Sequence, residues 1–281
     1  NFFKIFYFFI KKQDWMVAKL IFETHAHYDD EAFDSDREEL LCAMQEAGIE
    51  TVVNIGANIE SCKSTLALSS KYSFVYGALG VHPSDAEELN EETFSWLKQT
   101  AMSNSVRRGG KIVAIGEIGL DYYWDKESDV QANQRVWFER QAYLAKELSL
   151  PMVVHSRDAA KDTLDMMKAM KAEEIGGIVH CYSYSVEQAK EYLKMGFYFG
   201  IGGVITFSNA KKLKEVVEYL PMDTIVLETD CPYLAPVPNR GKRNSSLNLP
   251  YVVKEIASLK GLDEEEVIRI TRENAKRVYQ I

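Results

Sequence analysis

The five histidines of this chain fall in a pattern. His25 and His27 close the run KLIFETHAH, His82 ends FVYGALGVH, His155 lies late in PMVVHSR, and His180 lies in GGIVHCYS. Two carboxylates sit in similar settings, Glu117 in IVAIGEIGLD and Asp230 in TIVLETDCP. Imidazole and carboxylate together are a ligand set for divalent cations. His25 and His27 are two residues apart, so on a strand both face the same way and can hold one ion. The two oxygens of Glu117 can bridge two ions. His155 and His180 can then ligate the second ion, while Asp230 completes the first shell and orients or deprotonates a water. Two ions roughly 3.5–4 Å apart would clamp the attacking and leaving oxygens of a displacement at phosphorus.

Each residue alone has a structural reading. A lone His-x-His is as often an accident as a ligand pair, His155 and His180 could each be satisfied core histidines, and Asp230 could cap the turn before Cys231-Pro232. Glu117 could be a buried ion-pair partner, but a carboxylate inside an apolar strand is costly unless compensated. The set carries the argument, because all its members fall at the same end of their strands.

The elements that must position them are short β-rich runs alternating with amphipathic stretches. Beside the runs already quoted stand TVVNIGAN and FYFGIGGVITF, giving eight strands. Between them, DREELLCAMQEAG, VQANQRVWFERQAYLAKELSL and SVEQAKEYLKMG carry apolar residues at helical spacing, with Gly48 as a stop signal. Eight βα units predict a closed (β/α)8 TIM barrel of about 250 residues, whose active site lies at the C-terminal ends of its strands. An open doubly wound sheet would carry a Gly-rich dinucleotide turn after the first strand, where this chain has His-x-His.

Composition agrees with one large globular domain: 281 residues, 46% hydrophobic and 27% charged. The net charge of −9 argues against coating duplex DNA through bulk electrostatics, although a metal site with a local basic rim still accepts phosphate. The four cysteines form no CxxC pair, which fits a cytoplasmic protein. The opening NFFKIFYFFIKKQDW, residues 1–15, differs from the rest and is expected to be a non-native or disordered extension, with the barrel spanning 16–281. Its apolar stretch is far short of the roughly 20 residues that span a bilayer, and no stable membrane association is expected.

Seven motifs occur in order from about Met16 to the C-terminus: THAHYDDEAF, GVHPSDA, IGEIGLDYYWD, VVHSRDA, IVHCYS, LETDCPYLAP and RGKRN. In these the chain resembles the TatD-type deoxyribonuclease family of the amidohydrolase-like superfamily. The resemblance implies a TIM barrel with a site for two divalent metal ions; Mg²⁺ suits phosphate chemistry, while four histidines would equally accept Zn²⁺, Mn²⁺ or Ni²⁺. It implies a monomeric 3′-to-5′ exonuclease or an endonuclease on single-stranded DNA, with RNA as a further nucleic-acid substrate. Carried over, His25, His27, Glu117 and Asp230 hold one ion, Glu117, His155 and His180 the second, and His82 touches substrate phosphate. His82 could equally be fixed in the turn before Pro83. Asp230 and Glu117 are the expected catalytic residues. The chain departs from the family at Tyr28, where leucine is common, and at Ser245-Ser246, where Glu-Pro is common after RGKRN.

Around this set, Arg157 could be a phosphate fork or a helix-start ion pair with Asp158 or Asp162. Arg240, Lys242 and Arg243 form a basic loop suited to a nucleic-acid backbone, and Arg243 is the expected substrate contact. Tyr122, Tyr123 and Trp124 could stack on a terminal base or pack as a lid. The ligand set alone also admits a deacylase on esters or amides, such as aminoacyl-tRNA, or a non-enzymatic metal-bearing scaffold.

Overall fold

The computed structural model describes residues 20–281, so the expectation for the first fifteen residues falls outside the described residues. Eight parallel strands pair in chain order: β1 (Ile21–Ala26), β2 (Ile49–Ile55), β3 (Val75–Leu79), β4 (Ile112–Asp121), β5 (Met152–Arg157), β6 (Gly177–Val179), β7 (Tyr198–Ile201) and β8 (Ile225–Leu227). The first and last strands meet through backbone bonds just beyond their ends. Asp230 N–H donates to His25 O (3.0 Å) and His27 N–H to Cys231 O (2.9 Å), which closes the sheet into the TIM barrel.

The helices follow the apolar spacing seen in the sequence. They are α1 (Arg37–Glu46), α2 (Ile59–Lys71), α3 (Glu91–Asn104), α4 (Ser128–Leu148), α5 (Ala160–Ala169), α6 (Val186–Lys194), α7 (Lys211–Tyr219), α8 (Leu249–Lys260) and α9 (Glu264–Tyr279). Gly48, at φ +88°, follows α1 and turns the chain into β2 in a conformation that suits glycine. Asn58 and Asn90 start α2 and α3 with capping boxes to Ser61 and Thr93.

Outward strand residues and inward helix residues form the main core, with Met44, Leu97, Phe138, Tyr192, Val216 and Val252 buried in it. A second apolar cluster joins Phe22, Val113, Val153 and Val226 to Ala275, Val278 and Tyr279 of α9. Tyr279 donates its hydroxyl to Thr24 O (2.8 Å), so the last helix is locked onto β1. No helix among the described residues is long and apolar enough to cross a membrane.

The late strands are shorter than their sequence runs suggest. FYFGIGGVITF yields only β7, after which the chain turns at Gly202 into a 3-10 helix, Gly203–Thr206. Past β7 the chain runs against the loop after β8, where a Cβ on Gly203 would lie 2.2 Å from Leu234 O. A Cβ on Gly200 would lie 1.9 Å from Oε2 of Glu228, a buried carboxylate that accepts from Cys181 N–H (2.7 Å) and contacts His180 Nδ1 (3.1 Å).

Gly200→Ala is therefore expected to lower the unfolding free energy by about 1–3 kcal/mol, the usual penalty of overpacking. Denaturant unfolding checks it, and a variant as stable as the parent would show that Glu228 has room to move.

Candidate metal centre

All six expected ligands converge at the C-terminal mouth of the barrel. A register shift in β1 between Glu23 and Ala26 adds one residue relative to β2, and both His25 and His27 reach the interior. Their Nε2 atoms are 3.2 Å apart. Glu117, late in β4, divides its carboxylate between two sides. Its Oε2 is 3.3 Å from His25 Nε2 and 3.9 Å from His27 Nε2, while Oε1 is 2.8 Å from His155 Nδ1 and 3.8 Å from His180 Nε2. Asp230 Oδ1 lies 3.4 Å from His27 Nε2 and 3.8 Å from both His25 Nε2 and His180 Nε2. Asp230 reaches this place from φ +56°, a left-handed conformation that Asp tolerates better than most residues.

The donor set fits divalent cations. Donors held about 2.1 Å from an ion at tetrahedral angles stand about 3.4 Å from one another, which matches the spacings around both Glu117 oxygens. Two imidazole nitrogens 3.2 Å apart compete for one shared proton, and a cation between them satisfies both.

The far nitrogens agree. His27 Nδ1 is 2.9 Å from Ile55 O, His180 Nδ1 3.1 Å from Glu228 Oε2, and His155 Nε2 3.1 Å from Asp121 Oδ2. An N–H donated to each of these oxygens leaves the other nitrogen's lone pair facing the cluster, the second layer that metal-ligating histidines ordinarily have. Among the described residues, His25 Nδ1 is buried with no hydrogen-bond partner.

Asp121 and Glu228 were not singled out from the sequence. The argument that drew attention to Glu117, a carboxylate in an apolar run, applies equally to both. It also applies to Glu23, fully buried beside the seam between β1 and β8. Glu23 Oε1 accepts from His25 N–H and Thr229 N–H, and Oε2 from the Thr229 and Ser246 hydroxyls. Burial outweighs these bonds and pushes its carboxyl up to about 8. The two departures from the family pattern meet here: the Tyr28 hydroxyl is 2.8 Å from Ser246 Oγ and accepts from Ser246 N–H.

His82 lies at the edge of the cluster, its ring 4.3 Å from that of His155, and it is fixed in the turn before Pro83. Its Nδ1 accepts from Ser84 N–H, capping the following 3-10 helix, which places the neutral ring's proton on Nε2. Burial, with His155 nearby, lowers it to about 3, so the ring is neutral at physiological pH.

Arg157 makes no ion pair with Asp158 or Asp162. Asp162 instead takes the Tyr122 hydroxyl and stands 3.7 Å from Arg135, and the Arg157 guanidinium lies 4.0 Å from the centre of the Tyr123 ring. Arg243 is already engaged within the protein. Its guanidinium is committed to both Asp36 oxygens (2.7 and 2.5 Å) and to Ala32 O, which ties the basic loop to the start of α1 instead of leaving a free phosphate fork. Burial pushes the Cys181 and Cys231 thiols above their ordinary value, so neither is poised as a nucleophile.

The same charges set the protonation of the centre without a cation. Burial alone would lower His180 and His27. Glu228 and Glu117 outweigh it for His180, which rises to about 10, and Asp230 and Glu117 outweigh it for His27, which rises to about 9. Burial alone would raise Glu117, but His180 and His25 hold it well below the usual carboxylate range.

The sequence matches the family described as TatD related DNase over residues 22–280. It is 43% identical over 263 residues to the uncharacterized metal-dependent hydrolase YabD of Bacillus subtilis, covering 93% of this chain and 100% of that protein. It is 32% identical over 253 residues to the 3′-5′ ssDNA/RNA exonuclease TatD of Cronobacter sakazakii, covering 88% of this chain and 93% of that one. The fold superposes on that of YjjV, a TatD homolog from Escherichia coli, with a TM-score of 0.85 at 29% identity, covering 94% and 99% of the two chains.

Because His27 and His180 carry protons at neutral pH in the cation-free protein, cation uptake must displace them. Uptake at pH 7.5 is expected to release protons, and affinity to fall as pH drops. Titration calorimetry in buffers of different ionisation enthalpy checks this, and a binding heat independent of buffer would contradict it.

Proposed function

This chain belongs to the TatD-related DNase family of metal-dependent hydrolases, and we propose that it hydrolyses phosphodiester bonds of single-stranded nucleic acid, removing nucleotides from the 3′ end of DNA and, secondarily, of RNA. The observation that carries the reading is the split Glu117 carboxylate, with one oxygen toward His25 and His27 and the other toward His155 and His180. The exonuclease name of the Cronobacter sakazakii relative supports the substrate class and direction.

On this reading His25, His27, Glu117 and Asp230 would hold one divalent ion, and Glu117, His155 and His180 the other. Such a pair, when bound, supplies Lewis-acid charge to the phosphate oxygens and lowers the pKa of water toward neutrality. Asp230 is the most exposed of the six side chains, at 19%, and takes the proton of the attacking water. His82, neutral with its proton on Nε2, donates to a phosphate oxygen. Arg157, at the end of β5, supplies a positive charge at the rim. Arg240, Lys242 and Arg243 are all exposed; the first two form no ion pair among the described residues, and Arg243 holds the loop in place through Asp36.

The test is degradation of 3′-labelled and 5′-labelled single-stranded DNA with Mg²⁺, Mn²⁺ or EDTA, beside Glu117→Ala. The expected outcome is metal-dependent shortening from the 3′ end that drops by at least about 10³-fold in the variant. Intact oligonucleotides with metal bound would overturn the nuclease reading in favour of a deacylase.

A further inference from the structure

We infer that Tyr123, Trp124 and Arg157 form a shelf beside the candidate metal centre that stacks on one unpaired nucleobase, favouring single strands over the interior of a duplex. The inference rests on the reading of the chain as acting on nucleic acid, and it assigns a base subsite to that reading.

The three aromatic residues after β4 divide in two. Tyr122 is half-buried, its hydroxyl donating to Asp162 (2.9 Å) and accepting from Arg135 (2.8 Å), so it packs as part of the fold. Tyr123 and Trp124 instead face solvent, at 43% and 66% exposure, with ring centres 4.8 Å apart and planes at 84°. Single exposed apolar side chains need no explanation. Here two large rings lie beside a guanidinium that forms no ion pair among the described residues. Arg157 sits 4.0 Å from the Tyr123 ring centre and 5.5 Å from that of Trp124.

The shelf is held rigidly against the centre. Asp121 Oδ1 accepts from the backbone N–H groups of Tyr123 (2.9 Å) and Trp124 (3.1 Å), while its Oδ2 meets His155 Nε2. Tyr122 N–H donates to Arg157 O (2.9 Å), which joins the aromatic loop to the end of β5. One carboxylate therefore fixes both a proposed metal ligand and the aromatic loop. An aromatic face with an adjacent guanidinium is the surface that stacks on a base regardless of its identity, with positive charge for the neighbouring phosphate. A base inside a duplex is already stacked on both faces and cannot use such a shelf.

The experiment measures binding to the metal-loaded protein by fluorescence anisotropy, using a phosphorothioate-linked single strand that resists cleavage. The partner probe is the same strand with its terminal sugars lacking bases. Trp124→Ala and Tyr123→Ala are expected to weaken binding of the complete strand by about tenfold each. They should leave the baseless strand unaffected, and Trp124→Phe should restore most of the loss. Equal affinity of the parent protein for both strands, or variants that bind the complete strand as the parent does, would overturn the shelf. Base-dependent binding without cleavage of ordinary DNA would support the shelf and remove the nuclease reading. Cleavage without base-dependent binding would remove the shelf alone, and no binding of either strand would overturn both.

Discussion

The structure depends on the seam where the first and last strands meet. Asp230 N–H to His25 O and His27 N–H to Cys231 O are ordinary backbone hydrogen bonds. They join three of the four residues proposed to hold the first cation, so closing the barrel and assembling much of that half of the centre are one event. Glu23 reinforces the seam from its outer side by accepting from both strands' ends and from Ser246 on the loop after β8. The two oxygens of this buried carboxyl meet four donors, and loss of any one leaves polar atoms unpaired inside the protein.

From that seam the electrostatics of the mouth follow. Glu117 and Asp230 face four imidazoles in a mostly buried space that opens to solvent at His27, His155 and Asp230. Without a cation, the carboxylates hold protons on His27 and His180. A divalent ion would replace those protons with charge of the same sign, and the second layer of oxygens, Ile55 O, Asp121 and Glu228, would serve either state. The arrangement is stiff because each oxygen is itself fixed: Asp121 by two backbone N–H groups and Glu228 by Cys181 N–H.

The barrel and the six-residue cluster were legible in the sequence because periodicity survives in it. Eight β-rich runs alternate with helical ones, and each ligand falls at a run's end, where a barrel builds its site. What was not legible depends on contacts between residues far apart in the chain. Arg243 looked like a free cation, and its partner Asp36 stands in a different loop. FYFGIGGVITF reads as one longer strand because the approach of Gly203 to Leu234 O, on the loop after β8, has no local signature. Tyr28 and Ser246 looked like unrelated departures from a family pattern, although their side chains touch. Asp121 and Glu228 could have been found by applying to every strand carboxylate the cost argument used for Glu117.

The central claim is that Glu117 bridges two cations. Anomalous diffraction from crystals grown with Mn²⁺ tests it most directly. The account predicts two peaks, one among His25, His27, Asp230 and Oε2 of Glu117, the other among His155, His180 and Oε1 of the same carboxylate. A single peak, or a pair that Glu117 does not touch, would contradict it.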